Sequence, residues 1–196
     1  MRYILASKSP RRKELMKYIS SDFDIAVEDI DESSSYNLSP IEAVKDIAKR
    51  KGEAVDKLYP NDLIISADTI VVLDNQIIGK PIDEQDAKEM LKKLSGKVHY
   101  VYTGYRVKYL SKEIIDYVES KVEFNNLSDE LINAYVKTGS PLDKAGGYGV
   151  QDNERFPIIH KVTGSINNVI GFPVEEIKEA TKKVINWLLL FFAIQD

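Results

Sequence analysis

The start of the chain predicts a β-strand that turns directly into an α-helix, which commits the chain to an α/β fold. Residues 2–6 form a short, mostly apolar run, as expected of a buried strand. Ser9 is a favourable N-cap, and Pro10 suits the first helical position. Arg11 and Arg12 follow in the first helical turn, where free N–H groups and the helix dipole attract anions. The segment predicts a phosphate-binding strand–turn–helix, and the alternative is a capped helix with solvated arginines.

Signals for strands and helices alternate through the rest of the chain. Further strands are predicted over residues 23–27, 63–67 with 70–73, 77–78, 98–110, 114–124, 156–162 and 166–170. Further helices are predicted to begin at the capping box of Ser39 and Glu42, at Asp83, at Ser128 and at Pro173. This order predicts an α/β fold with a mixed, twisted β-sheet and flanking helices. We expect one domain over residues 1–196, which could divide into two lobes around a cleft.

Composition excludes several classes of function. The net charge of −4 provides no basic field, so nucleic acid is not an expected partner. The absence of cysteine excludes disulfides, thiolate nucleophiles and cysteine-based zinc sites, and it suits a reducing compartment. No signal peptide is predicted, so we expect a cytoplasmic location. His99 and His160 lie on separate predicted strands, which argues against a histidine-based triad or zinc site.

An apolar tail over residues 180–196 contains the run from Trp187 to Ile194. This run is too short to span a bilayer. We expect a terminal helix that packs on the body of the protein or on a second subunit. A membrane-surface anchor is the alternative, but the preceding helix carries both signs of charge rather than a basic face, so no membrane partner is expected.

Asp68 interrupts an otherwise apolar strand and is followed by Thr69. A carboxylate in such a position is costly to bury unless it is paired, binds a metal or faces a cleft. It could be a strand-end aspartate bonded to backbone N–H groups, or a general base or magnesium ligand.

Other charged and glycine-rich segments are ambiguous when taken alone. Lys80 stands between Gly79 and Pro81 and could be a phosphate partner or a surface lysine in a turn. Glu32 and Lys51 could be solvated charges. A functional role for Glu32 is expected only where a divalent ion bridges phosphates. Residues 143–151 hold three glycines, which allow close approach of a ligand, and they hold Tyr148 and Gln151, which could stack on a base or bind its polar edge.

Taken in order, these segments resemble the Maf family of nucleoside triphosphate pyrophosphatases. The resemblance extends from residue 3 to about residue 180. The matching segments are residues 7–12 with Glu14 and Leu15, residues 67–69, residues 79–81, residues 94–96 with His99, residues 103–104, residues 143–151, and residues 164–165 with 168–171.

The resemblance implies an elongated, Maf/ITPase-like α/β body with a central cleft, and members that often form dimers, so a homodimer is possible. It also implies hydrolysis of a nucleoside triphosphate to the monophosphate and pyrophosphate, assisted by a divalent cation, Mg²⁺ or Mn²⁺. Asp68 matches the position assigned as proton acceptor. Arg11, Thr69 and Gln151 match the positions that set base preference, and these residue types are those of the branch that prefers dTTP and UTP. Ser9 lies in the first motif, and Arg12, Glu32, Lys51 and Lys80 match other polar residues of the cleft.

These residues supply a hypothesis for the mechanism. Arg11 and Arg12, with the N–H groups of the first helical turn, would hold the triphosphate, and Lys51 and Lys80 would offset charge on the leaving group. Asp68 would bind the metal or would orient and deprotonate the attacking water, with Glu32 as a second metal ligand.

Two other functions are left open, and so is the effect of one departure from the family pattern. The chain could be a nucleotide-binding regulator of septum formation without turnover, or a pyrophosphatase for modified purine triphosphates. Ser140 stands where members of the family commonly have glutamate, and this difference could loosen the glycine-rich segment.

Overall fold

The structure, a computed structural model, describes residues 1–193, apart from the side chains of residues 34, 36 and 188–193. The strands are β1 (Tyr3–Leu5), β2 (Asp24–Ile25), β3 (Leu63–Leu73), β4 (Gln76–Ile78), β5 (Val98–Tyr109), β6 (Lys112–Phe124) and β7 (Ile159–Thr163). The helices are α1 (Pro10–Met16), α2 (Pro40–Asp56), α3 (Glu84–Leu94), α4 (Asp129–Val136), α5 (Ile166–Ile170) and α6 (Val174–Ala193). Short 3₁₀ turns cover Ser33–Asn37, Ser140–Asp143, Ala145–Gly147 and Val150–Asp152.

The seven strands form one mixed sheet in the order β2-β1-β3-β5-β6-β7, with β4 paired to β3. Strand β1 runs parallel to both β2 and β3. Strands β4 and β7 pair antiparallel with β3 and β6, respectively. The predicted α/β fold with a mixed sheet is therefore confirmed.

The chain forms two compact units. The first contains residues 1–68, 103–118 and the segment from Gly171 onward, and the second contains residues 69–102 and 119–170. The chain passes between the units inside β3, β5 and β6 and again between α5 and α6. The predicted single domain with two lobes around a cleft stays a prediction.

In the first unit, helix α2 lies unusually close to strand β5. Gly104 makes this possible, because a Cβ atom there would lie 2.3 Å from the carbonyl oxygen of Val44. The hydroxyl of Ser66 on β3 donates to the carbonyl of Ala48, 2.6 Å away. The end of α2 is fixed by Arg106 on β5, whose buried guanidinium donates to both carboxylate oxygens of Asp56 at 3.0 and 2.8 Å. These contacts hold the whole length of α2 against the sheet.

The second unit has its own core, formed by β3, β5 and β6 and by α3 and α4. Its buried members include Val71, Leu91, Val101, Val122 and Tyr135. Fully burying one large apolar side chain contributes roughly 1.5–3 kcal/mol, so a core of this size accounts for a separate compact unit.

His99 belongs to this second core. It is fully buried on β5, its ring packs edge-on against Phe124, and its Nε2 lies 2.6 Å from the hydroxyl of Tyr148. Burial lowers the pKa of His99 to about 4. The prediction that His99 and His160 lie on separate strands is confirmed, since His160 lies exposed on β7.

The predicted strand over residues 166–170 is wrong, because this segment forms helix α5. The hydroxyl of Ser165 accepts a hydrogen bond from the backbone N–H of Asn168, and its carbonyl accepts from that of Val169. The Asn168 side chain is fully buried and donates to the carbonyl of Val101 at 3.1 Å and to the hydroxyl of Ser120 at 2.9 Å. A five-residue segment with only three apolar residues is too short to show a hydrophobic period, and tertiary hydrogen bonds decide its conformation.

Helix α6 begins at Val174, one residue after Pro173, as predicted. Within the tail over residues 180–196, Ala180 and Val184 are buried in the first unit, which agrees with packing on the body. The side chains of residues 188–196 lie outside the described part, so the prediction for that segment is not decided. Among the described residues, no helix combines the length and apolarity needed to cross a membrane.

We expect His99 to make stability depend on pH. Its pKa falls from about 6.5 in the unfolded chain to about 4 in the folded protein, so the unfolded state binds more protons between these values. The stabilisation by neutral His99 is complete above pH 6.5 and is lost as the pH falls towards 4, by about 3 kcal/mol.

Urea unfolding from pH 7.5 to 4 measures this effect. His99→Phe should flatten the profile, whereas His160→Gln, at the exposed position on β7, should retain it. An unchanged slope in His99→Phe would contradict the assignment.

Candidate active site

The candidate site in the first unit lies at the carboxyl ends of two parallel strands. Leu5 of β1 is level with Ile65 of β3, and the N–H of Ala6 donates to the carbonyl of Ile65 at 2.8 Å. The segment before α1 and the continuation of β3 towards Asp68 therefore leave the parallel pair at the same edge. Such edges are the usual ligand sites of open α/β sheets.

Lys51 joins two carboxylates at this edge. Its Nζ lies 2.7 Å from Oδ1 of Asp68 and 2.8 Å from Oε1 of Glu32. Asp68 is only 8% exposed, so its charge needs a close partner, and the ammonium supplies one. Helix α2 brings Lys51 to β3, while Glu32 arrives on the loop before α2.

The first turn of α1 is arranged as the sequence predicts. Ser9 is the N-cap, its hydroxyl accepts from the backbone N–H of Arg12, and Pro10 occupies the first helical position. The Arg12 side chain is half-buried and turns back into the unit. Its Nε donates to the carbonyl of Gly171 at 2.8 Å, and its terminal nitrogen donates to the hydroxyl of Ser7 at 3.3 Å.

The electrostatics link this turn to the carboxylates. Burial lowers the pKa of Arg12, and the positive charge of Arg11 lowers it further. The negative charges of Asp68 and Glu32 oppose this shift, with Asp68 having the larger effect. Two arginines and two carboxylates therefore act on one another within the first unit. This cluster offers cationic groups for phosphate oxygens and carboxylates for water or a metal ion.

The predicted residues of the second unit lie on two segments that the fold brings together. The N–H of Gly146 donates to the carbonyl of Gly79 at 2.8 Å, which joins the segment containing Lys80 to the glycine-rich segment. Lys80 is exposed, and Gln151 is exposed on the turn Val150–Asp152. Thr69 follows Asp68 directly on β3 and is half-buried.

Two expectations for the glycine-rich segment are wrong. Tyr148 is buried and its hydroxyl lies against His99, so its ring is not available to stack on a base. Ser140 does not loosen the segment, because its hydroxyl donates to Oδ2 of Asp152 at 2.7 Å and accepts from Nζ of Lys144 at 2.9 Å.

Sequence reasoning gave no role to two groups that fix Arg12, the hydroxyl of Ser7 and the carbonyl of Gly171. Ser7 stands two residues before the cap and could have been found as a local partner. The contact with Gly171 joins residues 159 positions apart, so no local sequence pattern predicts it.

The donor chemistry of Asp68 and Glu32 fits a hard divalent cation. Among the described residues, no group of three or more acidic, histidine or cysteine side chains converges on one point. Mg²⁺ commonly takes one or two carboxylates together with water and substrate phosphates, so two carboxylates held by one ammonium are a sufficient protein contribution.

The chain belongs to the Maf family. The family model described as Maf-like protein matches residues 2–184. The resemblance drawn from the sequence motifs is therefore confirmed.

Curated relatives align with nearly the whole chain. The dTTP/UTP pyrophosphatase of Symbiobacterium thermophilum is 43% identical over 87% of this chain and 88% of its own length. The dTTP/UTP pyrophosphatase of Pyrococcus abyssi is 45% identical over 91% and 94%, and that of Clostridioides difficile is 40% identical over 99% and 100%. The solved structure of the Staphylococcus aureus Ham1 protein aligns over all of both chains at 15% identity, with a TM-score of 0.47 that supports no inference.

We expect Lys51→Met to destabilise the protein, because it leaves Asp68 and Glu32 side by side without their shared cation. The pair is partly solvated, so the loss should be roughly 1–3 kcal/mol rather than the full cost of breaking a buried pair. Thermal unfolding without Mn²⁺ measures this loss of stability. Thermal unfolding with Mn²⁺ measures how much stability the cation restores, since a ligand that binds the native state stabilises that state.

Mn²⁺ should raise the melting temperature of Lys51→Met more than that of the unaltered chain. The matched control is Lys49→Met, on the same helix, where the lysine contacts only exposed Glu53 among its described ion pairs. Equal Mn²⁺ responses in all three proteins would contradict the prediction that removing Lys51 makes the two carboxylates more available to the cation.

Proposed function

We propose that this protein hydrolyses dTTP and UTP to the nucleoside monophosphate and pyrophosphate. Relatives that align with nearly the whole chain carry the name dTTP/UTP pyrophosphatase. The observation in this chain that carries the proposal is the group formed by Lys51, Asp68 and Glu32 beside the first turn of α1. A phosphoanhydride hydrolase needs cationic groups for the phosphates and a carboxylate for the water in one place, and this group has both.

In this proposal the triphosphate binds at the start of α1. Ser9 and the first turn of α1 lie at the positive end of the helix, where the dipole favours an anion. Arg11 and Arg12 add guanidinium groups that match phosphate oxygens in pairs. Arg12 is preoriented by Ser7 and Gly171, so little conformational freedom is lost when the phosphate arrives.

The reaction breaks the bond between the α-phosphorus and the oxygen that bridges it to the β-phosphorus. A water molecule attacks the α-phosphorus in line with that bond, and the carboxylate of Asp68 accepts the proton that the water loses. The bridging oxygen leaves with the β- and γ-phosphates as pyrophosphate. Lys51, which lies on Asp68, and Lys80 offset the negative charge that develops on the leaving group.

Asp68 and Glu32 would hold a divalent cation, Mg²⁺ or Mn²⁺. When bound, the cation would neutralise phosphate charge and polarise the reacting phosphoryl group. The support for this assignment is the donor chemistry of the two carboxylates and their shared contact with Lys51.

Base preference is assigned to Arg11, Thr69 and Gln151. A glutamine amide both donates and accepts, so Gln151 can pair with the polar edge of uracil or thymine. Its exposure on the turn Val150–Asp152 supports this role. A homodimer and a cytoplasmic location stay predictions.

A panel of nucleotides tests the proposed activity. The purified protein is incubated with Mg²⁺ and, separately, with dTTP, UTP, CTP, dATP, GTP and 7-methyl-GTP, and pyrophosphate and monophosphate are measured. We expect dTTP and UTP to give the highest kcat/KM. Hydrolysis of the methylated purine alone would indicate a modified-purine pyrophosphatase, and nucleotide binding without any release would indicate a regulator.

We expect Asp68→Asn to lose turnover by a factor of about 10² to 10⁴, the usual contribution of a general base. The amide retains the size of the carboxylate and an oxygen for Lys51, so the fold should be kept, which thermal unfolding checks. Asp129→Asn, at an exposed ion pair of the second unit, is the control. A rate for Asp68→Asn close to that of the unaltered protein would overturn the assignment of Asp68.

A further inference from the structure

The turn that carries Gln151 is closed by a single buried hydroxyl. The hydroxyl of Tyr135 accepts from the backbone N–H of Gly149 at 3.0 Å and donates to Oδ2 of Asp152 at 2.7 Å. These two partners flank Val150 and Gln151 in the sequence. The Tyr135 side chain on α4 is fully buried, so one buried oxygen atom ties both ends of the turn to the core of the second unit.

Further hydrogen bonds hold the same turn from its other side. Oδ2 of Asp152 also accepts from the hydroxyl of Ser140 at 2.7 Å. The next residue, Asn153, donates to the carbonyl of Ile159 at 3.0 Å and accepts from its N–H at 2.6 Å, which anchors the turn to β7. Burial raises the pKa of Tyr135, and the carboxylate of Asp152 raises it further, so the hydroxyl remains a donor.

The interior of the turn is crowded around Gly149. A Cβ atom at this position would lie 2.7 Å from Cε of Lys144 and 3.0 Å from both Oδ2 of Asp152 and Oε1 of Gln151. The amide oxygen of Gln151 is therefore folded back over the glycine while the residue as a whole is exposed. The backbone angles here are ordinary (φ −131°), so a larger residue would require only that these flexible side chains shift.

The orientation of the Gln151 amide has a chemical consequence for base selection. The polar edge of uracil presents an N–H donor beside a carbonyl acceptor, and that of cytosine presents an acceptor beside an amino donor. A glutamine amide that rotates freely can pair with either edge by exchanging its oxygen and nitrogen. It discriminates between them only when its orientation is fixed.

We propose that Tyr135 and Asp152 are positioning residues that fix the orientation of Gln151 and so let the enzyme prefer uracil over cytosine. They act through the turn and do not touch the nucleotide. This inference rests on the proposed function, because it takes Gln151 as the group that contacts the base.

The test compares kcat/KM for UTP and CTP in a set of variants. Tyr135→Phe removes only the hydroxyl and should lower the UTP/CTP ratio by about tenfold, the factor expected when one hydrogen bond of the amide is no longer selective. Asp152→Ala removes the partly exposed acceptor and should lower the ratio in the same direction, which provides a second variant if Tyr135→Phe does not fold.

Tyr148→Phe is the matched control. It also removes a buried hydroxyl of the second unit, but that hydroxyl contacts His99 and not residues 149–152 among its described hydrogen bonds. A purely structural effect would lower the melting temperature in both tyrosine variants and leave the UTP/CTP ratio unchanged in both. We expect the melting temperature to fall in both and the ratio to fall only in Tyr135→Phe.

Gln151→Ala separates the two levels of the proposal. If Gln151→Ala lowers the ratio and neither Tyr135→Phe nor Asp152→Ala does, the positioning role is overturned while the proposed function stands. If Gln151→Ala leaves the ratio unchanged, or the unaltered protein hydrolyses UTP and CTP equally well, Gln151 is not a selective base contact and the inference fails with it. If the unaltered protein hydrolyses no nucleotide, the proposed function itself fails.

Discussion

A carboxylate inside an apolar strand must have a cation beside it, and the first unit is built around this requirement. Asp68 stands in the middle of β3, where every other residue of the strand except the half-buried Thr69 is buried, and the Lys51 ammonium lies 2.7 Å from it. Without such a partner, this partly solvated charge would cost roughly 1–3 kcal/mol. The same ammonium holds Glu32, so one lysine organises both acidic groups of the site.

The position of Lys51 depends in turn on how closely α2 approaches the sheet. Gly104 on β5 allows direct contact with the backbone of α2, and Ser66 on β3 donates to the same helix. Arg106 fixes the end of the helix through Asp56. We therefore expect substitutions at these positions to displace Lys51.

Local signals in the sequence were sufficient to predict much of the fold. Ser9 with Pro10 and Ser39 with Glu42 define helix starts through contacts within a few residues, and the structure has both. The helix over residues 166–170 could not be predicted in this way, because the buried side chain of Asn168 is bonded to β5 and β6. Contacts between distant parts of the chain were likewise not predictable in the candidate site. Asp68 was recognisable as an unusual strand residue, but its pairing with Lys51 joins two elements that only the fold brings together.

The hydrogen bond between Arg12 and Gly171 has a consequence for how the protein is made. Arg12 leaves the ribosome well before the residue whose carbonyl fixes its guanidinium, which is 159 residues further along the chain. Both compact units are also assembled from separate stretches of chain, and the first needs residues beyond Gly171. Biosynthesis therefore leaves the arginine without this anchor until Gly171 has been made. A chain released before that point would contain the whole segment from Ser7 to Arg12 without the contact that fixes the Arg12 guanidinium.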